Sequence, residues 1–202
     1  YYNTPKTGIM NVIMHQIITT LIGKTVKKAA QVRGGNGSAL PGLVVEKIDS
    51  EFVKHTLQQL PMGVVLVSGT NGKTTTTKIV VELLESQGLK VFTNRTGSNF
   101  TRGVAAALLG EVDLHGRLNA DIAVLELDEA YAVRFVEAVR PAYCLLLNVM
   151  RDQLDRFGEI DNTARLLHAV AKHTTKCVVL NRDDPRLSNP DFLSDLDIPS
   201  RS

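Results

Sequence analysis

Residues 66 to 77 read Leu-Val-Ser-Gly-Thr-Asn-Gly-Lys-Thr-Thr-Thr-Thr, and no other stretch restricts the fold as tightly. The apolar run at 64–67 suits a buried strand, and residues 78–85 carry helical spacing. A glycine-rich turn between a strand and a helix N-terminus makes a phosphate cradle. Gly69 and Gly72 let the backbone come close to an anion, and the helix presents free N–H groups and its positive dipole end. Lys73 then stands where it reaches the β- and γ-phosphates of a nucleotide, and the Thr74 hydroxyl where it holds Mg²⁺. The commoner loop, G-x-x-x-x-G-K-[ST], needs glycine at position 67, which is Val67; the pattern is the shorter Gly69-Thr70-Asn71-Gly72-Lys73-Thr74. The bland alternative is a plain turn with a lysine at the helix start. A first-turn lysine opposes the helix dipole, and a run of threonines starts a helix poorly unless a hydroxyl is needed.

From residue 62 onward strands and helices alternate. Strands are expected at 63–68, 90–94, 121–127, 142–148 and 176–180, and helices at 73–87, 101–110, 129–139 and 160–173. Val/Ile/Leu-rich strands separated by helices predict an α/β fold: a P-loop-type, mostly parallel sheet with helices on both faces, over residues 61–202. Ligands of such sheets sit beyond the carboxyl ends of the strands. Residues 1–60 precede it as a helical segment and connector. The first part of that segment holds Lys6, Lys24, Lys27, Lys28 and Arg33, with no acidic residue before Glu46. Ile9, Val12, Ile13, Ile17, Leu21 and Ile22 follow helical spacing. Two readings stand: a basic amphipathic helix lying on a membrane surface, or a helix packed on the main domain. Gly34-Gly35-Asn36-Gly37-Ser38 breaks the chain, and 43–60 reads as a short helical connector.

At 202 residues the chain is long enough for a sizeable core. A net charge of only +2 implies no bulk attraction to nucleic acid. No apolar run reaches transmembrane length. Cys144 and Cys177 sit in apolar runs and read as buried thiols, neither a disulfide framework nor a zinc site, which with no signal peptide points to the cytoplasm. The chain opens at Tyr1 with Met10 as a plausible start, and stops in a polar stretch just after a motif expected in mid-domain, so a fragment is expected.

Other chemistry-bearing residues also fall at expected strand ends. The apolar strand at 121–127 runs into Glu126-Leu127-Asp128-Glu129. A carboxylate beside a phosphate loop is where nucleotide-bound Mg²⁺ needs an oxygen, and a buried one needs a partner; Glu126 is the stronger candidate, while Asp128 also suits a helix cap. Asn148 leads into a loop crowded with Arg151, Asp152, Asp155 and Arg156, readable as a catalytic loop or a surface ion-pair cluster. In the stretch 94–103, Asn99 or Arg102 is placed to face a γ-phosphate or an acidic substrate, though Arg102 suits a solvated helix equally well. Asn181 suits an adenine edge or an Asx turn before Pro185. His15, His55, His115, His168 and His173 show no ligand spacing.

Taken together, Gly69-Thr70-Asn71-Gly72-Lys73-Thr74-Thr75, the strand ending in Glu126, Asp152-x-x-Asp155-Arg156-x-Gly158 and Asn181-x-Asp183-Asp184 resemble the Mur ligase family, ATP-dependent ligases acting on peptidoglycan precursors. The resemblance covers about residues 40–190 and is greatest to the MurT branch. It implies the Mur ligase central domain. ATP would be bound by Gly69, Thr70, Asn71, Gly72, Lys73, Thr74, Thr75, Asn99, Asn181 and Asp184. Catalytic roles fall to Lys73, Glu126, Asp152 and Asp155. Mg²⁺ would sit on Thr74 and Glu126, with Gln153 a weaker ligand. Where amino-acid-adding members carry histidine in the loop and a modified lysine after it, this chain has Gln153 and Leu167. The implied reaction is amidation of the D-glutamate α-carboxylate of lipid II, with ammonia from a GatD-like glutaminase partner, at the inner face of the membrane. A zinc ribbon and a C-terminal ligase domain would lie further along. An amino-acid-adding or folylpolyglutamate synthetase-like ligase, and a non-catalytic ATP-binding fragment, remain as alternatives.

Overall fold

The computed structural model describes residues 6–32, 39–94, 101–150, 159–196 and 199–201. The chain divides into two compact units: Tyr1–Gln59 with Arg95–Asn119, and Leu60–Asn94 with Ala120–Ser202.

The first unit is helical. It holds α1 (Lys6–Val32), α2 (Ala39–Ile48), α3 (Phe52–Leu57) and α5 (Thr101–Glu111). The connector expected at 43–60 is thus two helices, and the first begins earlier. Residues 95–119, counted by sequence with the later domain, group here because α5 packs on α2. Val45, Phe52, Leu57, Val104, Leu108 and Leu109 are buried in this unit. Arg102 binds Glu46 of α2 at 2.7 Å with both side chains about half exposed, so it is a solvated helix residue.

The second unit is the sheet. β1 (Val64–Ser68) is followed by α4 (Lys73–Ser86), β2 (Val91–Thr93), β3 (Ile122–Glu126), α6 (Glu129–Ala138), β4 (Tyr143–Leu146), α7 (Glu159–Lys172), β5 (Cys177–Leu180), the short α8 (Pro190–Leu193) and a two-residue β6 (Ser200–Arg201). The strand order is β2-β3-β1-β4-β5-β6 and every pairing is parallel. Each expected strand and helix is present, the strands one to three residues shorter. β1 and β3 are buried along their whole length, which is why they read as continuous apolar runs rather than alternating ones. Val65, Val67, Ile122 and Val124 form a core against which Val80, Val81 and Leu84 of α4 pack.

The order of strands positions the site. From β1 the chain crosses by α4 to β2 on one side; from β3 it crosses by α6 to β4, and from β4 by α7 to β5, toward the other. Right-handed crossovers therefore put α4 on one face and α6 with α7 on the opposite face. β1 lies between β3 and β4, the two strands whose helices leave the other way. Its carboxyl end is flanked on both sides by crevices of the kind that hold ligands in open α/β sheets.

Cys144 is fully buried, and burial pushes its thiol up to about 12. Cys177 departs from expectation: it is only half-buried, because β5 has only the two-residue β6 beyond it.

Candidate nucleotide site

Each side of the site is built from residues at the end of a strand. After Ser68, Gly69 takes φ +137°, and a Cβ there would stand 3.0 Å from the Asn148 nitrogen and 3.1 Å from its carbonyl oxygen. Only glycine fits such a close approach without strain. The turn closes at Gly72, which occupies the N-cap of α4 at φ +84° and supplies no side-chain cap. The first N–H groups of a helix have no partner within it. With a glycine cap they are left for an anion, as a phosphate cradle requires.

On the β4 side the loop is clasped by Asn148. Its Oδ1 accepts the Asn71 N–H at 2.9 Å, and its Nδ2 donates to the Asn71 carbonyl at 3.0 Å. Thr70 N–H donates to the Asn148 carbonyl at 3.1 Å, and Met150 N–H donates to Thr70 Oγ1 at 3.1 Å. Thr70 and Asn71 therefore shape the loop through their bonds to the next strand.

On the β3 side stands the charged chemistry. Thr74 Oγ1 donates to Glu126 Oε1 at 2.8 Å. Glu126 is 8% exposed. A buried carboxylate needs a partner, and the side-chain partner of Glu126 among the described residues is the neutral Thr74 hydroxyl. Two hard oxygens at that spacing fit Mg²⁺, so the residues present suit the ion. The Lys73 ammonium, 13% exposed, folds back to the Gly69 carbonyl at 2.7 Å and the Thr70 carbonyl at 3.3 Å, and pairs with Asp128 Oδ1 at 3.1 Å. Asp128 occupies the N-cap of α6 without capping it by its side chain; its carboxylate is turned to the lysine instead. Thr75 is exposed in the first turn of α4.

Asp184 and Asn181 follow β5. Asp184 is 6% exposed and its carboxylate accepts three backbone N–H groups: Val149 at 2.7 Å, Arg186 at 2.9 Å and Leu187 at 3.1 Å. Expected to bind the cofactor, it serves here as a structural clamp. Asn181 is exposed, and its Oδ1 accepts the Asp183 N–H at 3.0 Å, which is the Asx turn. Asn99, Asp152, Gln153 and Asp155 lie outside the described residues. Among the described residues no group of three or more His, Cys, Asp or Glu is placed to hold a metal.

Residues 67–191 match the model of the Mur ligase middle domain. The chain belongs to the Mur ligase family. It is 31% identical over 182 residues to the lipid II isoglutaminyl synthase (glutamine-hydrolyzing) subunit MurT of Staphylococcus aureus, covering 90% of this chain and 40% of that protein. It is 40% identical over 161 residues to the MurT subunit of Streptococcus pneumoniae, covering 78% of this chain and 35% of that one. The chain thus spans well under half the length of these relatives. Among solved structures it resembles the MurF ligase of Thermotoga maritima in complex with ADP, with a TM-score of 0.63 and 24% identity over 75% of this chain and 35% of that one. That likeness concerns the fold.

In this Mur ligase middle domain, sequence reasoning placed the phosphate loop and Glu126 but missed the residues that hold them. Asn148 was read only as a strand end. Asn94 donates to the Glu126 carbonyl at 2.7 Å and accepts the Glu126 N–H at 2.9 Å. Its side chain thereby carries the β2–β3 ladder one step past the end of β2. Ser68 Oγ donates to the Leu127 carbonyl at 2.9 Å. All three are polar residues closing an apolar strand. That shared position was the available signal.

Proposed function

We propose that this middle domain binds ATP for a ligase that activates a carboxylate as an acyl phosphate and converts it to an amide. The observation that carries the reading is the convergence at the end of β1: an uncapped helix N-terminus, Lys73, and the Thr74–Glu126 pair around one glycine loop. The β- and γ-phosphates would take the place of the Gly69 and Thr70 carbonyls around Lys73, and the first-turn N–H groups of α4 would cradle the remaining oxygens. Mg²⁺ on Thr74 and Glu126 would neutralise phosphate charge. A substrate carboxylate oxygen attacks the γ-phosphorus and ADP departs. Ammonia then attacks the acyl carbon, phosphate leaves and a proton is lost. The protein's part is chiefly to position the groups and stabilise charge.

The finer reading is that the carboxylate is the D-glutamate α-carboxylate of lipid II, that the product is D-isoglutamine, and that a GatD-like glutaminase delivers the ammonia at the inner membrane face. Its support is the identity to the two MurT subunits, whose name includes glutamine hydrolysis. Leu167 adds to it: where the resemblance gives amino-acid-adding relatives a modified lysine, this chain has a side chain fully buried in α7. Asp152 and Asp155 are proposed to serve the γ-phosphate and the attacking carboxylate, Asn99 the phosphates and Asn181 the adenine.

The test is ADP release by the full-length protein with its glutaminase, given lipid II and either glutamine, ammonium or single amino acids. Release dependent on glutamine or ammonium, with a product one amide heavier in nitrogen, is expected. Release dependent on an amino acid would replace amidation by amino-acid addition.

A further inference from the structure

Helix α1 is seated by its small and polar side. Thr19 and Thr20 are fully buried, and their hydroxyls have no hydrogen-bond partner among the described residues. Gly23 is packed so closely that a Cβ there would stand 2.7 Å from both Leu109 of α5 and Val45 of α2. Met14, Ile18, Leu21 and Ile22 point the other way, and Ile18 is 49% exposed. Their spacing puts them on one stripe of the helix. Of the two readings of this helix, packing on the main domain through its apolar stripe would bury Leu21 and Ile22; they are 46% and 40% exposed. A helix whose only neighbours were α2 and α5 would place its isoleucines on the inside and its threonines in water. The outward stripe is therefore built for a second apolar medium.

Charge selects the medium. Lys24 and Lys28 border the stripe, Lys28 exposed, and the chain has no acidic residue before Glu46. Lys27 turns inward, its Nζ donating to the Ala106 carbonyl of α5 at 3.5 Å, while Lys24 and Lys28 have no carboxylate on their own helix to neutralise them. No helix among the described residues is long and apolar enough to cross a membrane. A stripe of large aliphatic side chains bordered by lysines, on a helix that does not span, has the character of a surface-lying membrane helix. We infer that the outer face of α1, from Met14 to Lys28, rests on an anionic lipid surface, with Ile18, Leu21 and Ile22 in the acyl boundary and Lys24 and Lys28 among the headgroups. This deepens the membrane-face placement proposed above without depending on the amidation chemistry.

The experiment sediments the 202-residue chain with vesicles of phosphatidylglycerol and phosphatidylcholine, and with phosphatidylcholine alone. Binding to the anionic vesicles, weakened by salt, is expected. Ile18→Asp with Leu21→Asp should abolish it. Lys24→Gln with Lys28→Gln should weaken it about 25-fold, about five-fold for each lysine near an anionic surface. Both pairs of substitutions are on the outer face, so ATP affinity measured in parallel should not change; that readout reports on the nucleotide site separately. The inference is overturned if the parent chain ignores anionic vesicles, or if the aspartate variant binds them as well as the parent. It is also overturned if the aspartate variant disperses a self-associated form in the absence of lipid, which would assign the face to a second copy of the chain.

Discussion

Replacing Lys73 by methionine keeps the aliphatic stem and removes the charge. In the free chain the ammonium is held by two loop carbonyls at 2.7 and 3.3 Å and by Asp128 at 3.1 Å. The pair with Asp128 is partly exposed, 13% and 38% for the two side chains, and pairs of that kind contribute about 0–1 kcal/mol. The K73M chain should therefore fold, with only a small shift in Tm. Nucleotide binding is where the loss falls. A hydrogen bond to a charged group is worth about 1.5–3 kcal/mol, so the ATP dissociation constant in calorimetry should rise about 10- to 150-fold. AMP, which lacks the β- and γ-phosphates, should bind the variant and the parent alike. Asp128→Asn is the companion variant. It removes a competitor for the ammonium, and ATP should bind as well as before or up to about five-fold tighter, the equivalent of about 1 kcal/mol. Should K73M bind ATP with the parent's affinity, Lys73 does not contact the phosphates and the site assignment fails.

Gly69→Ala should destabilise the chain by about 1–3 kcal/mol in urea unfolding and remove ATP binding, since its φ of +137° and the Asn148 backbone at 3.0 Å both oppose a Cβ. Asp184→Ala should cost about 3–5 kcal/mol because three backbone N–H groups lose their acceptor; Asp184→Asn, which keeps one oxygen, should cost roughly half of that, again read from urea midpoints. For Cys144 the sign follows from burial, which pushes the thiol up to about 12 in the fold from about 9.0 when it is free in water. Its contribution is full below pH 9, and falls between about 9 and 12 as only the unfolded chain ionises. Cys144→Ala should flatten the alkaline stability profile in that window, and iodoacetamide at neutral pH should label Cys177 before Cys144.

What the sequence revealed of the fold followed from burial on both faces. β1 and β3 are buried at every position and apolar at all but the last, so they stood out whatever their partners. α4 and α7 showed through periodicity for the opposite reason, since a helix packed on one side alternates apolar and polar positions every turn. Strand order was not legible, because neither β3 nor β4 carries any local mark of pairing with β1. The site divided along the same line. Gly69, Gly72, Lys73 and Thr74 are legible because phosphate chemistry dictates their types and spacing. Asn148 and Asn94 are not, since each acts on a segment distant in the chain and depends on register. Asp184 was legible as part of the motif that carries the resemblance, but its three backbone N–H partners, which make it a clamp, were not. α1 failed in the opposite sense. Its apolar spacing was visible, yet spacing alone does not say which side of a helix the protein keeps for itself.

The central position of β1 has a consequence for the ribosome. Its register partners are Ala123 to Glu126 on one side and Tyr143 to Leu146 on the other, all translated long after the phosphate loop itself. The clasp on Asn71 waits for Asn148, and the loop beyond waits for the N–H of Val149 to find Asp184. A nascent chain arrested before Leu187 leaves the tunnel with its glycine loop complete in sequence but unsupported in space. ATP offered to stalled chains of increasing length should therefore be retained in a step once Leu187 has cleared the tunnel, not gradually from the emergence of Thr77 onward.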